Sequence, residues 1–460
     1  MNSRSWWLMI SVGLGILLNP LNSSMVSVAI PRLQQVFQLD FTQVSWVIFS
    51  FYIASAVAQP VMGKASDLFG RRKIFLTGLC VAFAASFLAP LSPTFGWLIV
   101  FRIVQSIGTS MMVAVGMAIV RIHITEKQAT ALSVLSIFLS GAAAIGPFIG
   151  GVIIHWWDWH AIFYVNIPFV LVSFLMAWRT IPKDDPRAAI ASNRSFRNWA
   201  QMIDVTGILL FTTGLVALLV GLLSAKSSGH ISWLTVTVGL LGLIVIWAFV
   251  RHELQTASPF IPLRTFGHYP AMTWVNIEFM LVNVLYYSVF FGLPSYLQTV
   301  RHVSEFHTGI LMLTLGLCSL VVSPLAGRWI DQSGAGPALL VSAILMTLGS
   351  VWIVSLNQHS PVISVCVALA VFGISNGLNN VGMQAALFKS SPKEIIGVAS
   401  GLFNTSRYLG TILSSLLIGI VMGGKFSFGG FRVLGLILTG VALSLVVMSL
   451  RRRRSGQVQE

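Results

Sequence analysis

The amino-acid sequence predicts an all-α polytopic membrane protein, and three observations carry that expectation. Of 460 residues, 56% are hydrophobic and only 9% are charged, with a mean hydropathy of +0.85. A water-soluble domain carries roughly 25% charged residues, so this chain cannot cover a water-facing surface. Apolar runs of about 20 residues, the length that crosses a bilayer core, recur fourteen times. The basic residues gather in alternate connections, a distribution that belongs to membrane insertion and argues against nucleic-acid binding despite a net charge of +15.

In order, the runs lie at residues 6–30, 44–62, 74–92, 95–119, 129–153 and 161–179, then 204–223 and 232–250, then 271–298, 308–330, 337–356, 361–386, 397–421 and 431–450. The first follows Arg4 and lacks a clear small-residue cleavage site, so it reads as a retained helix. Most connections are too short for a separate domain. The longest polar insert, 179–203, contains PKDDPR and SNRSFR and is expected on the membrane surface. Cys80, Cys318 and Cys366 fall inside apolar runs without metal-ligand spacing and read as small packing residues. The expected organisation is an N-terminal six-helix bundle at 1–180, a cytoplasmic linker at 181–203 and two additional helices at 204–250. A second linker at 251–270, a C-terminal six-helix bundle at 271–450 and a basic cytoplasmic tail at 451–460 complete it.

With the amino terminus inside, 21 of the 28 Lys and Arg residues fall on the inner side and five, Arg32, Lys226, Arg301, Lys425 and Arg432, on the outer. That split places both termini in the cytoplasm. The run at 451–454 is then a stop-transfer and an anchor to anionic lipid.

The most informative connection is GKASDLFGRRK at 63–73, where Gly63, Asp67, Gly70, Arg71 and Arg72 sit between two apolar runs. It resembles the signature loop of the major facilitator superfamily, although a short basic loop obeying the charge rule would look similar. GRWIDQSG at 327–334 repeats the frame in degenerate form with Gly327, Asp331 and Gly334. Two related six-helix halves around a midplane site are a common transporter plan. GAAAIGPFIGG at 141–151 resembles the glycine-proline motif of the antiporter branch. Its Gly146, Gly150 and Gly151 permit close helix approach and Pro147 favours a bend, with Gly141 heading the run; an ordinary small-residue packing face is the alternative. WDWHAIFYVNIP at 157–168 and LPSYLQ at 293–298 are similar to segments of the fourteen-helix drug:proton antiporter group, and the resemblance covers nearly the whole chain.

The resemblance implies a major facilitator fold with two extra central helices, in the cell (plasma or inner) membrane of a bacterium. It implies a multidrug-type exporter of small amphipathic compounds, such as drugs, antibiotics or toxic metabolites, working by alternating access. The expected partners are a small-molecule substrate, protons and the lipid bilayer, with no nucleic acid and a monomeric protein. A proton gradient would supply the energy, with no cofactor, metal or catalytic residue. No G-x-x-x-x-G-K-[ST] motif for nucleotide is present. An ion-coupled uptake symporter and a non-transporting membrane sensor are the alternatives.

Polar residues inside the apolar runs are the candidate sites, because they are expensive there. Arg102, Gln105, Ser106 and Thr109 form one stripe of the fourth helix. The resemblance implies coupling or gating for Arg102, against a structural role holding helix carbonyls. Glu278 is the one carboxylate placed well inside a helix, and a carboxylate withdrawn from water is the natural proton carrier. Asn276, Asn283 and Tyr287 form a different stripe of the same helix, with Glu278 roughly 160° away from Asn276. Either Glu278 or the amide stripe faces the cavity, and if the amides do, Glu278 pairs with a neighbouring helix or sits near the cytoplasmic interface. Asn376, Asn379, Asn380 and Met383 on the twelfth helix, and Asn404, Arg407 and Tyr408 on the thirteenth, suit a pocket for amphipathic ligands or simple interhelical hydrogen bonding. In the first helix, LNSSMVSVAIP at 21–31 places Asn22 where the drug:proton group usually has an aspartate, beside Asn19 and Ser23. Asn22 cannot exchange a proton, so coupling falls to Glu278 and Arg102, while Asp67 and Arg71 read as a latch between helices.

Overall fold

A computed structural model describes residues 3–124, 128–184, 204–227, 233–257, 259, 261–357, 360–391, 396–422 and 426–457, and these are helices joined by short turns. In chain order they are α1 Ser3–Ile16, α2 Leu18–Phe37, α3 Phe41–Val44, α4 Trp46–Phe69, α5 Arg71–Leu88, α6 Phe95–His123, α7 Gln128–Trp157, α8 Ala161–Tyr164 and α9 Asn166–Thr180. Then follow α10 Val205–Ser227, α11 Trp233–Gln255, α12 Leu263–His268, α13 Pro270–Thr299, α14 Glu305–Ser333, α15 Ala335–Ser355, α16 Val362–Ser390, α17 Ile396–Met422 and α18 Phe428–Gln457. Thirteen spans among the described residues are long and apolar enough to cross a membrane, and α10 adds a shorter apolar stretch, Val205–Gly221.

The first span is longer than the sequence suggests. It runs Ser5–Phe37 and is interrupted at Leu17, between α1 and α2. Pro20 has no N–H to give the Ile16 carbonyl, which explains the break. In the amino-terminal half, α2 packs on α7, α6 on both α4 and α5, and α1 on α9. In the other half, α13 packs on α17, α14 on α16, and α15 on α16 and α18. The halves meet through α7 and α14, α4 and α17, and α2 and α13, while α10 and α11 pack mainly on each other.

The end of the molecule that carries loop 63–73 is called the basic end below, and the opposite end the far end. At the basic end Gly70 has φ +97°, which lets α5 start at Arg71 one residue after α4 stops. The Asp184 carboxylate, just beyond α9, accepts from the backbone N–H of Arg72 at 3.0 Å and of Lys73 at 3.1 Å, so it caps α5 from outside the loop. Arg72 Nη2 donates to the Trp178 carbonyl at 2.6 Å. The expected latch between Asp67 and Arg71 involves a side chain, that of Asp67, outside the described residues. Gly334 repeats the device with φ +74° between α14 and α15, and Gly327, Asp331 and Gly334 keep the spacing of Gly63, Asp67 and Gly70. Here a Cβ on Gly327 or Gly334 would meet nothing within 4 Å, and Asp331 is exposed, so the second loop is not clamped. A Cβ on Gly70 would lie 2.4 Å from Asp184 Oδ2. Gly70→Ala is therefore expected to destabilise the protein by roughly 1–3 kcal/mol, read as a lower thermal midpoint in detergent, whereas Gly327→Ala should be near neutral.

Two buried carboxylates at the base of the added hairpin correct the expectation that Glu278 stands alone. The hairpin helix expected to end at 250 runs on to Gln255, which brings Glu253 to 0% exposure, with Oε2 accepting from Ile261 N–H at 3.0 Å. Asp204 accepts from Gly207 N–H at 3.0 Å and lies 2.7 Å from His252 Nε2. Ile261, just before α12, reaches back to Glu253, and sequence distance hides that. At the far end Arg32 grips Asp158 with Nε and Nη2 at 2.7 and 2.8 Å, tying α2 to the turn after α7. This guanidinium holds the Asp158 carboxyl below its ordinary range.

Candidate functional site

Halfway along their helices, the two halves meet through aromatic rings. On α4, Tyr52 and Gln59 are seven residues apart and share one face. On α13, Tyr287 and Phe291 are four apart, and on α17 Arg407 adjoins Tyr408. The ring of Tyr52 lies 6.0 Å from that of Tyr287, 6.3 Å from Phe291 and 6.0 Å from Tyr408. Tyr287 and Phe291 stack at 5.5 Å. Gln59 Nε2 donates to the Tyr408 hydroxyl, which Arg407 Nη2 also reaches at 3.5 Å. The Arg407 guanidinium carbon stands 5.2 Å from the Tyr408 ring centroid. Its titratable neighbours are Tyr408, Tyr287 and Tyr52.

Behind α4, the predicted stripe on α6 is assembled as a buried polar ladder. Arg102 is 1% exposed, with Nη1 donating to Gln105 Oε1 at 2.7 Å and its guanidinium carbon 4.3 Å from the Phe51 ring centroid. Gln105 donates to Ser86 Oγ at 2.9 Å. Ser106 Oγ lies 2.6 Å from the Phe51 carbonyl and 2.7 Å from Ser55 Oγ, which fixes α4 to α6 beside Tyr52. Thr109 accepts from Asn19 Nδ2 at 3.0 Å.

Above the rings, on the far side, backbone meets backbone. A Cβ on Gly146 or Gly150 would run into Ser24 or Met25 of α2, and one on Gly151 would lie 2.5 Å from the Glu305 carbonyl oxygen and 3.2 Å from Gly309 Cα. From α14, a Cβ on Gly316 would lie 2.4 Å from Ala144 Cα, and one on Gly309 2.9 Å from the Pro147 carbonyl. Gly141 does not belong to this set, because nothing lies within 4 Å of where its Cβ would be. It is one turn too early to reach either neighbour. Gln298 Nε2 donates to the Val28 carbonyl at 3.0 Å, and Phe41 packs edge-on against Phe426 at 5.4 Å, so the far end is closed between the halves. Toward the basic end, Gly63 on α4 and Gly401 on α17 face open space.

The remaining predicted residues scatter, because the amides spend their hydrogen bonds on carbonyls of their own helix and on neighbouring helices. Asn22 donates to the Leu18 carbonyl at 2.8 Å and accepts from Asn166 Nδ2 at 2.7 Å, so it faces α9 and not the other half. Ser23 turns back to the Pro20 carbonyl. Asn276 and Asn283 donate to the carbonyls four residues earlier, and Asn276 also accepts from Ser406 of α17 at 3.0 Å. The α16 array divides: Asn376 donates to Ser319 of α14 at 3.0 Å, Asn379 lies 3.7 Å from Met346 Sδ of α15, Met383 is buried and Asn380 is exposed. A single pocket of Asn376, Asn379, Asn380 and Met383 is thus corrected: Asn376 faces α14, Asn379 faces α15, and Asn380 is exposed while Met383 is not. Asn404 is half-buried on α17. Glu278 is 2% exposed and its Oε1 accepts from Ser449 of α18 at 3.2 Å, so it looks away from the amide stripe toward a neighbouring helix. Sequence reasoning missed Tyr52, Gln59, Phe291 and Asn166. The seven-residue spacing of Tyr52 and Gln59, two large polar groups on an otherwise apolar face, was the available signal.

Comparison with known proteins gives a family match over the same span. The family model described as Major Facilitator Superfamily matches residues 12–415. The chain is 43% identical over 441 residues to "Uncharacterized MFS-type transporter YwoD" of Bacillus subtilis (strain 168), covering 96% of this chain and 95% of the relative. It is 26% identical over 431 residues to the "Tetracenomycin C resistance and export protein" of Streptomyces glaucescens, covering 92% of this chain and 77% of that one. Among solved structures, a mutant of the nucleoside transporter NupG superposes with a TM-score of 0.67 at 13% identity, covering 98% of this chain and 99% of NupG, a likeness of fold alone.

Proposed function

This chain belongs to the major facilitator superfamily, whose members move small molecules across membranes, and on that premise we propose that it exports small amphipathic compounds in exchange for protons. The observation that carries the proposal is the ring cluster at the meeting of α4 with α13 and α17, sealed above by the α7–α14 glycine contact. By the distribution of Lys and Arg, the basic end is taken to face the cytoplasm and the closed far end the outside. Rocking one half against the other opens the far end and delivers the ligand outside. The name of the Streptomyces glaucescens relative, a resistance and export protein, supports the outward direction.

Glu278 is the proposed proton carrier. It is buried on α13, the helix that also brings Tyr287 and Phe291 to the interface, so a change in its charge alters how α13 seats against α18. Arg102 assists by holding Phe51, and with it Tyr52, in place. In inverted membrane vesicles, dye accumulation is expected to require an inside-acid gradient. Glu278→Gln keeps an acceptor for Ser449 and should fold normally, yet lose at least about tenfold of the gradient-driven accumulation. Glu253→Gln, in the added hairpin, should retain it. Intact proton-driven flux in Glu278→Gln would sink the coupling assignment.

A further inference from the structure

Among the described residues, Arg407 is the charged side chain on the interface side of the rings where the halves meet, Arg102 lying behind them against Phe51, and no described carboxylate neutralises it. Its titratable neighbours are tyrosines, which carry no charge near neutral pH. Gln59 spends its amide on the Tyr408 hydroxyl. The buried acids are held elsewhere: Glu278 by Ser449 of α18, and Asp204 and Glu253 at the base of the added hairpin. Asp158 serves Arg32, Asp184 caps α5 and Asp40 caps α3. The sequence places the remaining acids in connections, tails or helix ends. In the first helix the polar position is Asn22, bonded to Asn166 and uncharged.

We infer that the site selects planar aromatic compounds bearing a negative charge, with half-buried Arg407 receiving the anion and half-buried Tyr287 offering its ring, held in place by the buried rings of Tyr52, Phe291 and Tyr408. The Arg407 guanidinium is half-buried, reachable by a ligand yet partly withdrawn from water, and a ligand that brings a counter-ion to it gains an attraction the described carboxylates do not supply. The planar fork matches a carboxylate, and the partly exposed Tyr287 ring nearby suits an aromatic body. A cationic amphiphile meets like charge at the same place. The inference rests on the export reading only for where the ligand goes, since binding is measured without flux.

The test uses the purified full-length protein in detergent and three fluorescent probes that share one ring system: anthracenecarboxylate, anthracenecarboxamide and aminomethylanthracene. Wild type is expected to bind the carboxylate at least about tenfold more tightly than the amine. Arg407→Gln should remove that preference, and Arg407→Lys should keep part of it. Gln59→Glu leaves Arg407 in place but supplies an internal carboxylate at the shared Tyr408 hydroxyl, and should reverse the preference toward the amine; this variant carries the test if Arg407→Gln does not fold. Equal binding of the three probes by wild type, no binding of the carboxylate, or an unchanged preference in Arg407→Gln or in Gln59→Glu would overturn the inference. Carboxylate-selective binding without proton-driven accumulation in vesicles would sink the export reading and leave this inference standing.

Discussion

Gly151→Leu is expected to abolish transport in a protein that still folds. A side chain there meets the Glu305 carbonyl and Gly309 Cα of α14, so its space can come only from moving α7 away from α14. Overpacking of this kind costs about 1–3 kcal/mol when the structure cannot relax. Here it can relax, because α7 and α14 belong to different halves and the proposed alternating-access cycle separates them when the far end opens. The strain therefore falls on one conformation, and about 3 kcal/mol shifts a two-state equilibrium by roughly 150-fold. The expected result is loss of net flux together with a permanently accessible far end, read as maleimide labelling of a cysteine at Gln298, which now touches the Val28 carbonyl. Gly141→Leu is the control. It lies in the same glycine run but meets open space, so flux and labelling should remain as in wild type. Wild-type flux in Gly151→Leu would show that this closure is not part of the cycle.

The contrast between Gly141 and Gly151 shows how far the sequence could be read. Periodicity identifies the helices, because a bilayer imposes one length and one polarity on every span. The two-half plan was equally legible, since Gly70 and Gly334 turn with positive φ at matching places. Which glycine touches what was not legible, because that depends on the rotation of α7 between two partners. The amides were misgrouped for a related reason. Helical spacing puts Asn376, Asn379 and Asn380 on neighbouring faces, but α14 lies against one and α15 against another, and each amide spends its hydrogen bonds locally. That Arg102 and Gln105 lie together was legible because a buried charge in a span demands partners and the residue at i+3 is within reach. Tyr52 and Gln59 escaped because their partners, Tyr287 and Tyr408, lie hundreds of residues away on another half.

Arg102→Met is expected to separate stability from function. The Arg102 guanidinium is nearly inaccessible, donates one bond to Gln105 and faces Phe51, while its Nε has no hydrogen-bond partner. A desolvated charge with an unsatisfied donor is a poor source of stability, and apolar residues of similar volume are often neutral or stabilising by about 1–4 kcal/mol at such places. The lost attraction to Phe51, up to about 2 kcal/mol for a desolvated pair, offsets part of that gain. The thermal midpoint should therefore stay level or rise, while gradient-driven flux falls at least about tenfold because Phe51 and the adjoining Tyr52 are released from their fixed seat. Arg102→Lys should not rescue flux, since an ammonium lacks the planar surface that lies against Phe51 and the fork that reaches Gln105. A lower midpoint with unaltered flux would make Arg102 a structural tie between α4 and α6. A higher midpoint with lost flux would mean that this buried charge is retained for movement, at a cost to the stability of the resting state.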